Sequence, residues 1–232
     1  MLELRRTWRG RRETLHVRVA GPGAASVGDE TLAALQAGIA AVERAGFSPG
    51  HLMRSRLWAS DSAARGAASD VRRAFLAGPL RAASASFWGP DNLPSGARVM
   101  LDLEALQPAA GATKSVVEYV PAITPPAFVT LDGMVFLSGN TDQSRGLAAQ
   151  VAAIAAKIRA SLARAGSSSA EIVTLSAYLA ETENPAAAEA AIRRALPEPD
   201  CPLSLTIVRG FSAPDKLLEI EVDAEIGRSP AR

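Results

Sequence analysis

Apolar and polar positions along the chain fall into two rounds of the same series of elements. In the later round, Met134 to Gly139 forms an apolar run after the pair Asp132-Gly133, the pattern of a hairpin turn leading into a buried strand. A helical pattern then covers about Leu147 to Ala165 and stops at Gly166, a residue suited to the left-handed helix end. A strand over Ile172 to Leu179 follows, then a helix over about Asn184 to Leu196 with Pro197 beyond it, and strands near Leu203 to Arg209 and Leu217 to Glu225. The earlier round repeats the order: a strand over Leu15 to Ala20, a helix over about Glu30 to Ala45 stopping at Gly46, and a strand over Leu52 to Ala59. A helix near Ala67 to Leu76, a proline, and strands near Ala82 to Trp88 and Arg98 to Leu106 complete it.

The two rounds keep a common register. Gly46 and Gly166, Leu52 and Ile172, and Trp58 and Tyr178 are each 120 residues apart, whereas Gly21 and Gly139 differ by 118 and Pro79 and Pro202 by 123. Offsets that drift only in loops mark a tandem duplication. The expected organisation is two like domains, 1–110 and 111–232, each an α+β unit with a mixed sheet and two helices on one face.

Composition changes this picture little. A chain of 232 residues suits two domains, and 48% apolar with 5% aromatic residues implies cores built mainly of Ala, Leu, Val and Ile. No apolar run approaches the roughly 20 residues that span a bilayer, and the N-terminus lacks a signal peptide's apolar stretch, so no membrane association and a cytoplasmic location are expected. A net charge of +1 exerts no global pull on nucleic acid. The cluster Arg5, Arg6, Arg9, Arg11 and Arg12 reads as the charged edge of a hairpin whose strand carries Leu2, Leu4 and Trp8 and turns at Gly10. Nucleic acid is therefore not an expected partner.

The single cysteine, Cys201, excludes an internal disulfide, and the isolated His16 and His51 lack metal-ligand spacing. Phosphate-loop, dinucleotide and nucleophile-elbow motifs are missing as well, so neither metal nor cofactor is expected. The remaining chemistry sits at strand ends. Pro79-Leu80-Arg81 opens a strand, and a hairpin loop from Gly89 to Gly96 would return the chain through Leu101-Asp102-Leu103-Glu104, setting Arg81 opposite Asp102 or Glu104. Alternation places both carboxylates on one sheet face and both leucines on the other. Spacing alone leaves two readings open: a functional anion site, or a cross-strand ion pair contributing about 0.2–1 kcal/mol.

The order of elements, with these residues, resembles the Rid family, the reactive intermediate deaminases also called the YjgF group. Val135-Phe136-Leu137-Ser138-Gly139-Asn140 is similar to that family's strand ending in Ser-Gly-Gln, and Leu218-Glu219-Ile220-Glu221-Val222 to its C-terminal Ile-Glu-Ile-Glu-Ala. In the first copy the resemblance rests on Pro79-Leu80-Arg81, similar to a Pro-x-Arg signature, and on Leu101-Asp102-Leu103-Glu104-Ala105. It implies a chorismate-mutase-like fold, trimeric assembly with ligand clefts between neighbouring domains, and cofactor-free hydrolysis of enamines and imines to 2-oxo acids and ammonia.

Carried over by position, the resemblance makes Arg81 the anchor of a substrate carboxylate and puts Asp102 and Glu219 at the acidic position of the two copies. Glu104, Ser138, Gly139 and Asn140 join the expected substrate-binding set. The sequence also departs from the pattern. Ser204 stands where the second copy would carry its arginine, Asn140 replaces the glutamine, and the first copy has Ala20-Gly21-Pro22 in place of Ser-Gly-Gln. Complementary losses suggest one intact kind of cleft per chain, with Arg81 of the first copy facing Ser138-Gly139-Asn140 or Glu219 of the second. The expected partners are a small carboxylated substrate and further copies of the chain, in a trimer or pseudo-trimeric ring. The competing expectations are binding without catalysis, or a chorismatase-like hydrolase; a ribonuclease is disfavoured by the lack of paired histidines.

Overall fold

The computed structural model describes residues 1–197 and 201–227. The first round of elements runs β1 (Leu2–Arg9), β2 (Arg12–Ala20), α1 (Val27–Arg44), β3 (Leu52–Ala59), α2 (Ser62–Phe75), β4 (Ala83–Trp88) and β5 (Val99–Gln107). The second runs β6 (Ser115–Val117), β7 (Phe128–Leu131), β8 (Met134–Leu137), β9 (Asn140–Thr141), α3 (Leu147–Arg164), β10 (Ile172–Ala180), α4 (Pro185–Ala195), β11 (Leu203–Val208) and β12 (Leu218–Glu225). Strands of the first round form one sheet in the order β1-β2-β5-β3-β4, and those of the second form another in the order β11-β10-β12-β8-β7-β6, with β9 also on β12. Among the described residues only β3–β4 and β10–β11 are parallel, each pair connected through a helix. The result is the expected α+β architecture of two mixed sheets, each with two helices on one face.

Capping residues explain where the helices begin. Ser26 accepts from the Asp29 amide, so α1 starts at Val27 rather than near Glu30. Asp61 accepts from the Ala64 amide and caps the helix, so α2 starts at Ser62 rather than near Ala67. Asn184 and Pro185 open α4 in the same way. One face of α3 buries Val151, Ile154, Ala155, Ile158 and Leu162 against Val135, Leu137, Ile220 and Val222 of the second sheet.

Two sequence expectations are corrected by strand pairing. β4 and β5 do not form a hairpin, because β3 lies between them and pairs with both. Arg81 therefore does not face Asp102 or Glu104; its guanidinium meets Glu118 at 2.9 Å, while Asp102 accepts from Arg18 at 2.7 Å. The short loop suggested a hairpin, but a parallel β3–β4 crossover leaves β5 to enter the sheet between β2 and β3.

Pairing also realigns the two copies. Trp58 pairs with Met100 and its counterpart Tyr178 with Glu219, so the first-copy equivalent of Glu219 is Met100, and Asp102 corresponds to Glu221. Likewise Ser204 pairs with Ser176 as Ala85 pairs with Arg56, so Ser204 corresponds to Ala85 and not to Arg81. Finally, β2 is unbroken against β5, whereas the β12 ladder slips between its partners Phe136 and Asn140. That slip is a bulge at Ser138-Gly139 with no equivalent in β2, which corrects the match of Gly139 to Gly21.

The faces of the two sheets turned away from their helices meet across a buried charge network. Arg54 of β3 donates to Asp223 of β12 at 2.5 Å and also to the carbonyls of Leu137 and Val222 at 3.0 and 3.2 Å. Arg56, two residues on, pairs with Glu104 of its own sheet and with Glu221 of the other at 2.5 Å. Tyr178 donates to Glu221 at 3.1 Å and stacks on Phe87 at 3.9 Å between ring centroids. Burial opposes the Arg56 charge, but Glu104 and Glu221 outweigh it and hold its pKa well above the usual value. For Glu104, burial acts upward while Arg56 beside it pulls the carboxyl below the carboxylate range.

Removing one member of such a network leaves an uncompensated buried charge. Arg54→Leu is expected to destabilise the protein by about 3–5 kcal/mol, measured as a fall in the urea midpoint. In that background Asp223→Asn should cost less than it does alone, as residues in one network are coupled.

Candidate functional site

Where the two halves touch along β4, the chain builds a cleft. Its floor comes from an edge-to-edge contact: the Gly139 amide donates to the Ser84 carbonyl at 3.1 Å, and the Ser84 amide donates to Ser138 Oγ at 3.1 Å. At the other end of β4, Trp88 exchanges backbone hydrogen bonds with Arg209 and Gly210. Between these contacts and α2 lies a cavity of about 560 Å3. Its first-copy wall is the face of α2 bearing Arg65, Ser69, Arg72 and Arg73, followed by Arg81. Gly139, Asn140, Lys216 and Glu219 supply the second-copy wall, and Tyr119 and Thr124 of the connecting segment form its rim.

The bulge at Ser138-Gly139 sets Glu219 in place. A side-chain carbon on Gly139 would coincide with the Glu219 carboxyl group, so the acid lies directly over the glycine. Glu219 is buried and has its pKa raised to about 8, first by loss of solvent and second by the neighbouring Glu221; Lys216, Arg72 and Arg65 only partly offset this. At neutral pH it is a protonated acid, able to donate.

The cations around it are poorly compensated. Arg72 is buried, donates to the carbonyls of Ser55 and Ala85 at 3.3 and 2.7 Å, and has its pKa lowered to about 10 by desolvation. Arg65 reaches the Ser86 hydroxyl at 3.2 Å, and Lys216 the Ser212 hydroxyl at 2.7 Å. Among the described residues none of these three has a carboxylate within ion-pair distance. Buried Ser55 Oγ, Ser69 Oγ, Arg65 Nε and Arg81 Nε lack hydrogen-bond partners in the same wall. Such a site favours an anion that accepts several hydrogen bonds.

Of the residues singled out in the sequence, Arg81, Gly139, Asn140 and Glu219 line this cleft, and Ser138 closes its floor. Asp102 and Glu104 do not: they line a separate cavity of about 810 Å3 between the sheets, with His16, Arg56 and Tyr178. There Asp102 is held by Arg18 and the Trp58 ring nitrogen, at 2.7 and 2.8 Å. Arg65, Arg72 and Lys216 escaped the sequence reading. The available signal was helical spacing, since Arg65, Ser69, Arg72 and Arg73 recur on one face of α2. Among the described residues no group of three His, Cys, Asp or Glu side chains is placed to hold a metal ion, and no helix is long and apolar enough to cross a membrane.

Residues 110–226 match the family model described as endoribonuclease L-PSP. No curated protein matches the chain. A solved chorismatase is similar over 94% of this chain and 78% of its own, with a TM-score of 0.65 at 14% identity, a likeness of fold spanning both halves. Rv2704 from Mycobacterium tuberculosis, a member of the YjgF/YER057c/UK114 family, is 23% identical and covers 49% of this chain and 100% of its own, with a TM-score of 0.44. The Rid protein YyfA from Yersinia pestis is 22% identical over 49% of this chain and 100% of its own, with a TM-score of 0.45. Since the family model spans the second round of elements from the connecting segment to the last strand, the chain belongs to the endoribonuclease L-PSP family, the YjgF or Rid group.

Proposed function

We propose that the cleft between the two halves hydrolyses enamine or imine derivatives of amino acids to a 2-oxo acid and ammonia. The observation that carries this reading is Glu219, a carboxyl protonated at neutral pH and set among cations, so that a proton donor stands beside an anion holder. Arg81 grips the substrate carboxylate; its Nε is unpartnered, and Glu118, its present partner, is half-exposed and exchangeable. Water, oriented by the Ser138-Gly139-Asn140 edge, adds to the imine carbon as Glu219 protonates the nitrogen, and the proton that the added water sheds passes to the same nitrogen, which becomes an ammonium leaving group. The resulting carbinolamine loses ammonia, and the proton released from its hydroxyl returns to Glu219. One water is consumed, and no oxidant or cofactor enters the balance.

The direct test is release of ammonia and 2-oxo acid from enzymatically generated 2-imino acids of several side-chain sizes. Wild type is expected to accelerate release, and Arg81→Ala to lower kcat/KM by about 100-fold, the scale of two lost charge-assisted hydrogen bonds. No acceleration with any imine would overturn the reading. Pyruvate release from chorismate would then favour the chorismatase-like alternative, and ligand binding without turnover a binding protein.

Glu219 gives the reaction a pH signature. The acid is competent while protonated, so kcat/KM should hold below about pH 8 and fall above it. Glu219→Gln should fold, bind anions and lose about 100-fold or more in kcat; a variant with unimpaired kcat would remove Glu219 from the mechanism. Gly139→Ala should lower kcat in the same direction by displacing the Glu219 carboxyl.

Stability carries an independent readout of the same group. Its folded pKa of about 8 exceeds the ordinary 4.5, so the unfolded chain releases the proton first as pH rises, and stability falls between these values. Glu219→Gln lacks this loss. Its melting temperature relative to wild type should therefore rise by roughly 5 °C or more between pH 5 and pH 9.

A further inference from the structure

Two ends of the cleft carry cations, and they are far apart along α2. Arg65 lies in the first turn of this helix, while Arg81 follows its last turn and the Gly78-Pro79-Leu80 segment. From Arg65 to the helix end at Phe75 the axis rises about 15 Å. Arg81 is paired with Glu118 at its end. At the other end Arg65 and Lys216 come from different halves of the chain and, among the described residues, donate to the hydroxyls of Ser86 and Ser212. The acidic residues near them are engaged elsewhere: Asp70 accepts from Arg73 at 2.9 Å and Asp215 from Gln143 at 2.8 Å. Glu219, on the second-copy wall, attracts both cations, but burial outweighs it and leaves the pKa of each lowered.

We propose that the cleft takes a substrate with two anionic groups, the first held at Arg81 and the second, a carboxylate or phosphate, held jointly by Arg65 and Lys216. This deepens the reading of the cleft as a site for carboxylated intermediates and rests on it for the first group only. Three observations converge on the second. Both cations are partly buried and lack a carboxylate partner, and burial lowers the pKa of each, the condition an incoming anion relieves. Arg65 Nε is buried without a hydrogen-bond partner, leaving one edge of its fork open. Buried Ser69 Oγ, one turn along the same face, is also unpartnered and adds a donor between the two ends. A fork and an ammonium on opposite walls define a receptor that a single-carboxylate ligand anchored at Arg81 leaves unused.

The test is binding, measured by titration calorimetry at low salt, so that it stands whether or not imines turn over. Monoanions are compared with dianions of equal chain length, up to lengths that bridge the two ends of the cleft: butyrate with succinate, octanoate with suberate, decanoate with sebacate, and octanoate with phosphonoheptanoate. Wild type should bind the best-fitting dianion at least about tenfold more tightly than its monoanion. Arg65→Met and Lys216→Met, which keep side-chain volume, should each remove that advantage and change monoanion binding by no more than about threefold. Arg81→Met should weaken both classes. A carboxylate in place of the phosphonate separates the two ligand chemistries through the size of the preference. Equal binding of monoanions and dianions by wild type would overturn the proposal, as would a preference that survives in the Arg65→Met/Lys216→Met double variant. A dianion preference without any imine turnover would instead defeat the hydrolase reading and leave this one standing.

Discussion

Everything in this chain that depends on two halves acting together rests on the pair of arginines that β3 sends into the opposite sheet. Arg54 and Arg56 are the only bulky cations on that strand, and their partners Glu221 and Asp223 alternate on β12 at the same period of two. An apolar contact between the sheet faces would tolerate sliding, because hydrophobic attraction has no direction. Four charges with fixed hydrogen-bond geometry tolerate only one register, and a shift of either strand strands them without solvent. Stacking of Phe87 on Tyr178 adds area to this alignment without defining it.

The cleft inherits its shape from that register. β4 is held beside β3, and β3 is held to β12, so the Ser84 edge arrives at Ser138-Gly139 with both backbone partners facing. The same β12 strand carries Glu221 into the charge network and Glu219 into the cleft, two residues apart on one face. Their proximity has a chemical effect as well: Glu221 is one of the influences that raise the pKa of Glu219. A structural ion pair and a titrating acid are thus neighbours on one strand, and the first tunes the second.

Much of the fold was legible because duplication supplies an internal check, and apolar periodicity located every helix and nearly every long strand. Errors fell where local pattern and tertiary pairing compete. The loop between Trp88 and Val99 looked like a hairpin, since nothing local reveals that β3 takes the place between β4 and β5. Asp102 and Glu219 looked equivalent because Leu-Asp-Leu-Glu and Leu-Glu-Ile-Glu align by eye, whereas the strand pairing moves one copy by two residues. Within the site, Ser138-Gly139-Asn140, Arg81 and Glu219 were readable as motif residues. Arg65, Arg72 and Lys216 were not, since a surface helix with arginines is common and only the apposed second half turns that face inward.

The replacement of Glu219's counterpart by Met100 carries a lesson about how joining two copies alters what mutation can reach. In a ring of identical subunits every substitution enters every site, so a change that improves one wall of a cleft also alters the opposite wall. Here the wall bearing Arg65, Arg72 and Arg81 and the wall bearing Gly139, Lys216 and Glu219 are encoded separately. One copy carries a methionine in an aromatic cluster at this position, while the other carries the acid. Two walls carried by different segments of one chain vary independently, and that separation permits the asymmetry of the charged cleft.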